Sequence, residues 1–440
     1  MTQQEALVIL KTGANVFLTG EPGAGKTHTI NEYVSYLKKS GVDVAITAST
    51  GIAATHIGGM TIHSWSGIGI KSSLSKYDID AIASREYIVK RMNRSRVLII
   101  DEVSMLSAGM ITMVDAVCKA VKNSEEPFGG LQIIFVGDFF QLPPVSRSAQ
   151  ASQFAYDSLA WQQANPIICY LAEQHRQDDA PFLELLSAIR SNTFDEFHVE
   201  RLEARRVEAH AAPENIPKLF SHNADVDKVN ADILASIPGQ AKDFHMYAKG
   251  AKNVVESLKK GCLSPEVLSL KVGATVMFTK NNPKEHFVNG TLGVVKEFSK
   301  TDGHPVVVTK EGKKVDVESM DWSVEENGRV VASVTQLPLR LAWAITVHKS
   351  QGISLDSAVV DLRQVFEFGQ GYVALSRVKR LSGLHLLGWN QRAFEVHPSV
   401  LEKDAEFRDS SQIAENMFNE MDREELRTMH DNFIKVMGGV

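Results

Sequence analysis

The sequence predicts an α/β protein built on parallel sheets, and three apolar runs carry that prediction. They occupy residues 15–19, 96–100 and 131–136, and each ends at a chemically distinctive segment. Continuous apolar runs of this length are typical of strands buried on both faces, as in parallel sheets. Because the carboxyl ends of parallel strands meet at one edge, the residues directly after these runs are candidates for a ligand site.

The first run leads into GEPGAGKT at residues 20–27, which fits the phosphate-loop pattern GxxxxGK followed by Ser or Thr. A helix is predicted after the loop because apolar residues recur at helical spacing from Ile30 to Leu37 and Gly41 can end it. The helix N-terminus then faces the ligand, and its dipole favours an anion. A chance glycine-rich turn is the alternative, and the agreement of every fixed position with both flanks disfavours it.

This loop predicts the binding of a nucleoside triphosphate. Lys26 is expected to reach the β and γ phosphates, and Thr27 to offer its hydroxyl to Mg²⁺. The loop residues expected to surround the phosphates are Gly20, Gly23, Ala24 and Gly25.

The second run ends in Asp101 and Glu102, two carboxylates at the predicted sheet edge. Asp101 is expected to hold the magnesium ion, and Glu102 to polarise the attacking water. An acidic turn after a core strand is the alternative, and the presence of Lys26 and Thr27 disfavours it.

The third run continues into GDFFQLPP at residues 137–144. Since strand ends of this kind line the ligand crevice of an open α/β sheet, Gln141 is a candidate sensor of the γ-phosphate. A solvated turn glutamine is the alternative.

Composition is that of a large folded protein. A chain of 440 residues exceeds what one hydrophobic core usually organises, so two or more domains are expected. No stretch approaches 18 consecutive apolar residues, which predicts no membrane span and a cytoplasmic location. Three widely spaced cysteines, Cys118, Cys169 and Cys262, favour neither a disulfide framework nor a zinc site.

Charge is distributed unevenly along the chain. The net charge is −6, but residues 242–314 carry 13 lysines against 7 acids, a balance of +6. A local positive groove suits the grip of a single nucleic-acid strand, and a solubilising face remains the alternative.

Three segments stand apart from the α/β pattern. Residues 271–335 contain short alternating runs separated by turn pairs such as Asp302-Gly303, which predicts a small β-barrel. Residues 66–92 interrupt the first domain, as a functional insertion or as a plain surface excursion. Residues 401–440 predict an acidic, amphipathic helical tail that packs on the second domain or docks a partner.

The ordered motifs resemble those of superfamily-one DNA helicases, most closely the Pif-one family, with RecD-like helicases as the next neighbours. The segments that carry the resemblance are Gln3, residues 20–27, TASTGIAA at 47–54, TIHS at 61–64, DEVSM at 101–105, residues 137–144, TVHKSQG at 346–352 and VALSR at 373–377. The stretch at 114–132, with PFGGLQ at its end, resembles the one that separates the Pif-one family from RecD-like enzymes. It carries Lys119 and Lys122 where the family tends to have arginine.

The resemblance implies two RecA-like motor domains, with a Src-homology-type β-barrel inserted in the second. The expected limits are 1–168 for the first domain and 169–270 with 336–400 for the second. The barrel would span 271–335, and the insertion at about 66–92 would supply a wedge that meets the duplex.

The resemblance also implies further nucleotide contacts. Gln3 would contact the nucleotide, and Arg176 and Arg377 would reach the γ-phosphate from the second domain as arginine fingers. An arginine suits this task because its planar fork of donors matches phosphate oxygens. Gln351 would link the nucleotide state to the strand-binding surface.

The residues that the resemblance implies for DNA binding are Thr50, Gly51, His63, Ser64, Thr346, His348 and Lys349. Their donors suit phosphates, which position a strand without reading its sequence. Trp65 and Phe140 could stack on bases, and an ordinary core position is the alternative for each.

The implied activity is that of an ATP-dependent DNA helicase moving 5′ to 3′ on single-stranded DNA. It would use Mg²⁺, act without a membrane as a monomeric motor, and open duplexes, RNA–DNA hybrids or G-quadruplex DNA. Two alternatives remain: a DNA-stimulated translocase that remodels protein–DNA complexes without separating strands, and a P-loop NTPase that acts on proteins.

Overall fold

The chain forms two compact units in its computed structural model. The first comprises residues 1–202, 365–381 and 391–440, and the second comprises 203–364 and 382–390. The structure describes residues 1–439 apart from 51–52, 55–56, 58, 70, 145–152, 173–178, 214–215, 251, 281, 286, 288–290, 310, 327–328 and 352–353.

The bounds of the strands are β1 Val16–Gly20, β2 Val44–Ala48, β3 Met60–Thr61, β4 Val97–Asp101, β5 Gln132–Val136, β6 Ile167–Leu171, β7 Lys218–Phe220, β8 Lys242–His245, β9 Tyr247–Gly250, β10 Val267–Leu270, β11 Thr275–Phe278, β12 Leu292–Phe298, β13 Pro305–Thr309, β14 Lys314–Asp316, β15 Met320–Glu326, β16 Arg329–Gln336, β17 Leu339–Leu341, β18 Ala344–Thr346, β19 Ala358–Leu362 and β20 Leu384–Trp389.

The bounds of the α-helices are α1 Gln3–Lys11, α2 Lys26–Lys39, α3 Ile62–Ser66, α4 Lys76–Ala83, α5 Glu86–Arg94, α6 Ala108–Lys122, α7 Leu159–Ala164, α8 Ala180–Arg190, α9 Glu196–Glu203, α10 Asn223–Ser236, α11 Lys252–Gly261, α12 Gln370–Ser376, α13 Pro398–Glu420 and α14 Arg423–Val436.

The first unit is organised around a six-stranded parallel sheet in the order β3-β2-β4-β5-β1-β6. The three apolar runs of the sequence form β1, β4 and β5, which lie inside this sheet. Every residue of β1 and β5 is buried. This agrees with the prediction that continuous apolar runs form strands covered on both faces.

The register of these strands brings their carboxyl ends together. Leu18 of β1 pairs with Val136 of β5, and Ile100 of β4 pairs with Phe135 of β5. By this register, Asp101 lies level with Leu18, and Gly20 lies two residues further along β1. The two strands therefore end close to the same edge of the sheet. The phosphate loop and the carboxylates thus start from one edge of one sheet.

The insertion that the sequence places at about 66–92 contains α4 and most of α5. Helix α4 begins with a capping box in which Ser75 and Asp78 satisfy each other's backbone N–H groups. Ile88 and Met92 of α5 are fully buried, whereas Tyr77 of α4 is 81% exposed. The second half of the insertion therefore contributes side chains to the core, whereas the first half presents the exposed Tyr77.

The helical tail packs on the first unit, and the expectation that it packs on the second domain is wrong. Phe418 of α13 and Phe433 of α14 belong to the core cluster that includes Leu10 and Val34. The Ser411 hydroxyl accepts a hydrogen bond from the backbone N–H of Tyr170 at 3.0 Å. The tail thus covers β6, the edge strand whose backbone groups would otherwise lack partners.

The second unit contains a four-stranded parallel sheet in the order β18-β7-β19-β20. Its antiparallel part comprises a five-stranded sheet, β14-β13-β12-β11-β17, a three-stranded sheet, β15-β16-β9, and the pair β10-β8. Gly303 and Gly312 adopt positive φ angles of 73° and 81°, as the predicted turns at these positions require.

Two of the expected domain limits differ from the strand pairing. The limit after residue 168 falls inside β6, which pairs with β1 along its whole length. The β-rich insertion extends beyond 271–335 because β9 pairs with β16 and β17 pairs with β11. Turn signals mark where strands end, but they do not show which distant strand is the partner.

No helix in the described part of the chain is long and apolar enough to cross a membrane.

Candidate nucleotide site and strand-binding residues

The phosphate loop has the backbone that its glycines predict. Gly25, the residue before α2, has a φ of 90°, and a Cβ atom there would lie 2.1 Å from Nε2 of Gln3. Gln3 in turn donates from Nε2 to the Ala24 carbonyl at 3.4 Å. Gly20 and Gly23 also have positive φ angles. Gln3 therefore lies against the loop, and a side chain at position 25 would both strain the backbone and displace Gln3.

The side chain of Lys26 folds back onto the phosphate loop. Its Nζ donates to the carbonyls of Gly20 at 2.7 Å and Glu21 at 3.1 Å. Burial lowers the pKa of Lys26, and the carboxylates of Asp138 and Glu102 oppose that shift. Thr27 is exposed in the first turn of α2. The N-terminus of α2 and the Lys26 ammonium together favour an anion at this place.

The two acids after β4 have different environments. Burial, and then the neighbouring Glu102 carboxylate, raise the pKa of Asp101 to about 7. Oδ1 of Asp101 accepts a hydrogen bond from the Glu102 N–H at 2.9 Å. Glu102 has a φ of 52°, a left-handed conformation that is rare outside glycine and turns the chain directly after the strand. Close carboxylates of this kind are stabilised by a cation.

The donors at this edge fit a magnesium ion. The Asp101 carboxylate and the Thr27 hydroxyl are oxygen donors, which Mg²⁺ prefers. Within the described residues, no group of three or more His, Cys, Asp or Glu side chains could hold a metal ion by itself. An ion here would need further oxygens from a nucleotide, as is usual for Mg²⁺ in phosphoryl-transfer sites.

A buried arginine that sequence reasoning missed lies at the end of the third strand. Nη1 of Arg190 is 2.8 Å from both carboxylate oxygens of Asp138 and 3.0 Å from the Tyr372 hydroxyl. Its Nη2 is 2.7 Å from the Tyr170 hydroxyl. The signal for Arg190 was present, since it continues the buried helical stripe of Phe182 and Leu186. A charge on an apolar stripe indicates a buried partner.

Gln141 is buried beside this pair. Its Nε2 is 3.4 Å from Oδ2 of Asp138, and its backbone N–H donates to the Asp138 carbonyl. The Phe140 ring lies 4.1 Å from the Arg190 guanidinium. Phe140 is 4% exposed, which agrees with the core alternative for this residue.

Helix α12 starts against the same loop. A Cβ atom at Gly369 would lie 2.4 Å from the Phe140 carbonyl and 2.6 Å from that of Gln141. Arg377, at the other end of α12, is buried and donates from Nε to the Val373 carbonyl at 3.0 Å. The expectation that Arg377 belongs to the second domain differs from the structure, in which α12 is part of the first unit. Arg176 lies outside the described residues.

The first group of strand-binding candidates is only partly exposed. The Thr50 hydroxyl accepts from the Ala53 N–H at 3.2 Å, Ser64 is exposed, and burial lowers the pKa of the His63 imidazole. Trp65 is only 2% exposed, which agrees with the core alternative for this residue. The TIHS segment forms the start of α3, whose apolar face turns Trp65 into the core. Gly51 lies outside the described residues.

The second group follows β18. Thr346 is buried, and its hydroxyl accepts from the Lys349 N–H at 3.4 Å. His348 and Lys349 are partly exposed in the 3₁₀ turn His348–Ser350, and Gln351 is buried directly after it.

Many lysines of the 242–314 stretch are committed to local contacts. Lys259 pairs with Glu266 at 2.7 Å, Lys314 pairs with Glu297 at 2.9 Å, and Lys271 donates to the Ile237 carbonyl at 2.7 Å. These contacts agree with the solubilising alternative for part of the stretch.

Comparisons with known proteins identify the family. The sequence profile described as "PIF1-like helicase" matches residues 3–197, and that of "DNA helicase Pif1, 2B domain" matches residues 253–298. The "ATP-dependent DNA helicase Pif1" of Psychrobacter sp. is 40% identical over the whole chain and 75% of the relative. The Bdellovibrio bacteriovorus protein of that name is 35% identical over 91% of this chain and 90% of its own. The human relative is also 35% identical, and the chain spans 63% of it.

Solved structures agree with these sequence relatives. A Pif1 helicase from Candida albicans superposes with a TM-score of 0.83 at 33% identity, covering 92% of this chain and 98% of the other. A Bacteroides Pif1 in complex with ADP-AlF3 and ssDNA has a TM-score of 0.72 at 29% identity, with coverages of 92% and 96%. Because both sequence profiles and the relatives from Psychrobacter and Bdellovibrio agree, this chain belongs to the PIF1-like helicase family.

Proposed function

We propose that this chain is an ATP-dependent DNA helicase that moves 5′ to 3′ on single-stranded DNA. Its substrates would be duplexes, RNA–DNA hybrids and G-quadruplex DNA that adjoin a single strand. One observation carries the ATP-dependent part of the proposal: the phosphate loop, Asp101, Glu102 and Gln141 start from one edge of one sheet. The Bacteroides relative solved with ADP-AlF3 and ssDNA supports both ligands.

In the proposed hydrolysis, Lys26 exchanges its bonds to the Gly20 and Glu21 carbonyls for bonds to phosphate oxygens. Asp101 and Thr27 would hold Mg²⁺, which supplies charge that offsets the developing charge on the phosphates. Glu102 orients the attacking water and accepts its proton. Gln141 contacts the γ-phosphate side of the site, and the Arg190–Asp138 pair keeps the loop of Gln141 in place.

The nucleotide would be further bound by Gln3 and Gln351, and Arg176 and Arg377 would contact its γ-phosphate. The single strand would be bound through its phosphates by the two groups of polar residues described above. We retain the division into two motor domains with an inserted β-rich domain, with its limits moved to agree with the strand pairing. Tyr77 on α4 is the candidate side chain for the wedge, because it is an exposed aromatic residue of the insertion.

Strand displacement tests the proposal. Duplexes with a 5′ tail or a 3′ tail are mixed with protein and ATP·Mg²⁺, and release of the labelled strand is followed. Displacement from the 5′-tailed duplex alone is expected. A preference for the 3′ tail would contradict the direction and leave the helicase activity in place.

The alternatives give other outcomes in the same experiment. DNA-stimulated ATP hydrolysis without displacement of either strand would indicate a translocase that remodels protein–DNA complexes. An ATPase rate that single-stranded DNA leaves unchanged would favour a P-loop NTPase acting on proteins.

A further inference from the structure

A cavity of about 450 Å³ lies within the second unit, and all the residues that line it belong to that unit. Its walls come from α10, the segment before β10, strand β17 and the turn after β18. The lining residues that matter here are Asp227, Leu234, Leu268, Arg340 and Lys349. A volume of this size is within the range of small-ligand sites.

Arg340 is the distinctive side chain of this cavity. It is 8% exposed, and its Nε is fully buried without a hydrogen-bond partner among the described residues. Its backbone is fixed by the pairing of β17 with β11 opposite Met277. A buried guanidinium is normally paired with a carboxylate or with carbonyl oxygens, because burial of an unsatisfied cation is costly. Arg340 therefore has unused donor capacity in a cavity that can hold a ligand.

A second cation lies close to Arg340. Burial, and then the Arg340 charge, lower the pKa of Lys349, and Asp227 opposes that shift. Of the other charged residues in the lining, Lys259 and Glu266 neutralise each other at 2.7 Å. The other charged residues of the described lining are Arg340, Lys349 and Asp227. An anion in the cavity would therefore lie beside two cationic side chains.

We propose that this cavity is a phosphate-binding site in which Arg340 and Lys349 hold the anion. The fork of an arginine matches two oxygens of one phosphate, and Lys349 adds a point charge. Leu234 and Leu268 give the cavity an apolar wall suited to a sugar ring. The phosphate is a phosphodiester of the bound strand, which rests on the proposed function, or a free phosphate or nucleotide. The two sources share one chemistry and are separated by experiment.

The first arm measures strand binding by Arg340→Met, which removes the charge and keeps an apolar side chain. Binding of a labelled oligo(dT) without nucleotide is followed by fluorescence anisotropy over a series of KCl concentrations. The affinity should fall about 10- to 100-fold, the loss expected for one charge-assisted hydrogen bond. The slope of log K against log[salt] should decrease in magnitude by about 0.7, the value for one phosphate on a single strand.

Lys228→Met is the matched control. Lys228 is an exposed cation on α10, next to Asp227 in sequence and outside the cavity lining. Its removal should change affinity less than twofold.

The second arm measures thermal unfolding with and without inorganic phosphate or thymidine monophosphate. It uses the Lys26→Ala background, so that the phosphate loop contributes little. Each anion should raise the Tm of this background and leave that of the Arg340→Met variant unchanged. Without an anion, Arg340→Met should raise the Tm by about 2 to 4 °C, because it removes a buried guanidinium whose Nε has no hydrogen-bond partner among the described residues. A purely structural arginine would lower it.

The outcomes separate the two sources and the two proposals. If Arg340→Met lowers the affinity for the strand in the first arm, the bound group is a strand phosphate. If it removes only the anion-induced rise in Tm in the second arm, the bound group is a free anion. If the wild-type protein binds no single strand, the proposed function fails, and the second arm still decides whether the site exists. Arg340→Met with wild-type behaviour in both arms would overturn the site.

Discussion

Arg190 and Asp138 form a buried pair in which one arginine nitrogen, Nη1, is 2.8 Å from each carboxylate oxygen. Both side chains are at most 3% exposed. The pair connects α8 to the loop that carries Gln141, and the Tyr372 hydroxyl adds a contact from α12. Asp138 belongs to the GDFFQLPP segment, whereas Arg190 lies outside every motif of the sequence.

Removing one member of this pair should destabilise the protein strongly. Arg190→Met leaves the Asp138 carboxylate buried without its cation, and the free energy of unfolding should fall by about 3 to 5 kcal/mol. Urea denaturation measures this change. Arg190→Met combined with Asp138→Leu should cost much less than the sum of the single changes, because no unpaired charge remains. As a control, Lys314→Met breaks the exposed pair with Glu297 and should cost less than about 1 kcal/mol.

Lys26→Ala should reduce ATP hydrolysis to background and retain affinity for single-stranded DNA. The charge of Lys26 acts on the phosphates, whereas the strand-binding candidates lie elsewhere in the chain. Steady-state hydrolysis and oligonucleotide binding measure the two effects. Lys39→Ala, an exposed lysine in the last turn of the same helix, should retain both. Loss of strand binding in a folded Lys26→Ala protein would contradict the separation of the sites.

Gly25→Ala should abolish nucleotide binding. The added methyl would lie 2.1 Å from Nε2 of Gln3, at a φ of 90°. Gly41→Ala is the matched control, since Gly41 has a φ of 73° but no heavy atom within 4 Å of the added methyl. Both changes should cost about 1 to 2 kcal/mol through backbone strain. Only Gly25→Ala should prevent binding of a fluorescent ATP analogue, and equal binding by both variants would show that crowding against Gln3 does not matter.

Arg377→Ala should leave ATP binding largely intact and remove DNA-stimulated turnover. Arginines that contact the transferred phosphate contribute on the order of 10³ to 10⁵ in rate. Arg377→Lys should rescue little, because a point charge does not reproduce a planar fork. Single-turnover hydrolysis with saturating DNA measures both variants. A rate within a few-fold of wild type would show that Arg377 has only a structural role at the end of α12.

Phe433→Ala should destabilise the first unit by about 3 to 5 kcal/mol, the usual loss for a buried phenylalanine. Phe433 belongs to the core cluster, and its ring lies where a Cβ atom of Gly13 would be. Ile413→Ala on α13 is the control, since Ile413 is 70% exposed and its loss should change stability by less than about 0.5 kcal/mol. Chemical denaturation followed by tryptophan fluorescence compares the two variants.

The nucleotide-site elements could be predicted because their signals are local. The phosphate loop, its flanking strand and its helix are adjacent in sequence, and the required backbone at Gly25 follows from the pattern itself. The carboxylates after β4 could be predicted equally well, because a buried parallel strand places its last residues at a known edge of the sheet.

Contacts between distant segments could not be predicted in this way. Asp138 and Arg190 are 52 residues apart, and the tail contacts β6 across 241 residues from Tyr170 to Ser411. Apolar spacing indicates that Trp65 and Phe433 each lie on the apolar face of a helix. Which part of the protein covers that face depends on tertiary packing. The same limit applies to Arg340, whose unpaired Nε is visible only once β17 is placed beside β11.

The packing of the tail on the first unit has a consequence for biosynthesis. That unit is assembled from residues 1–202, 365–381 and 391–440, so its core cannot close until α14 has left the ribosome. Most of the second unit is one continuous segment, 203–364. Although domains usually fold in the order of their synthesis, here the unit that begins later in the chain can complete most of its core earlier. During translation, the nucleotide-binding unit remains the unfinished one.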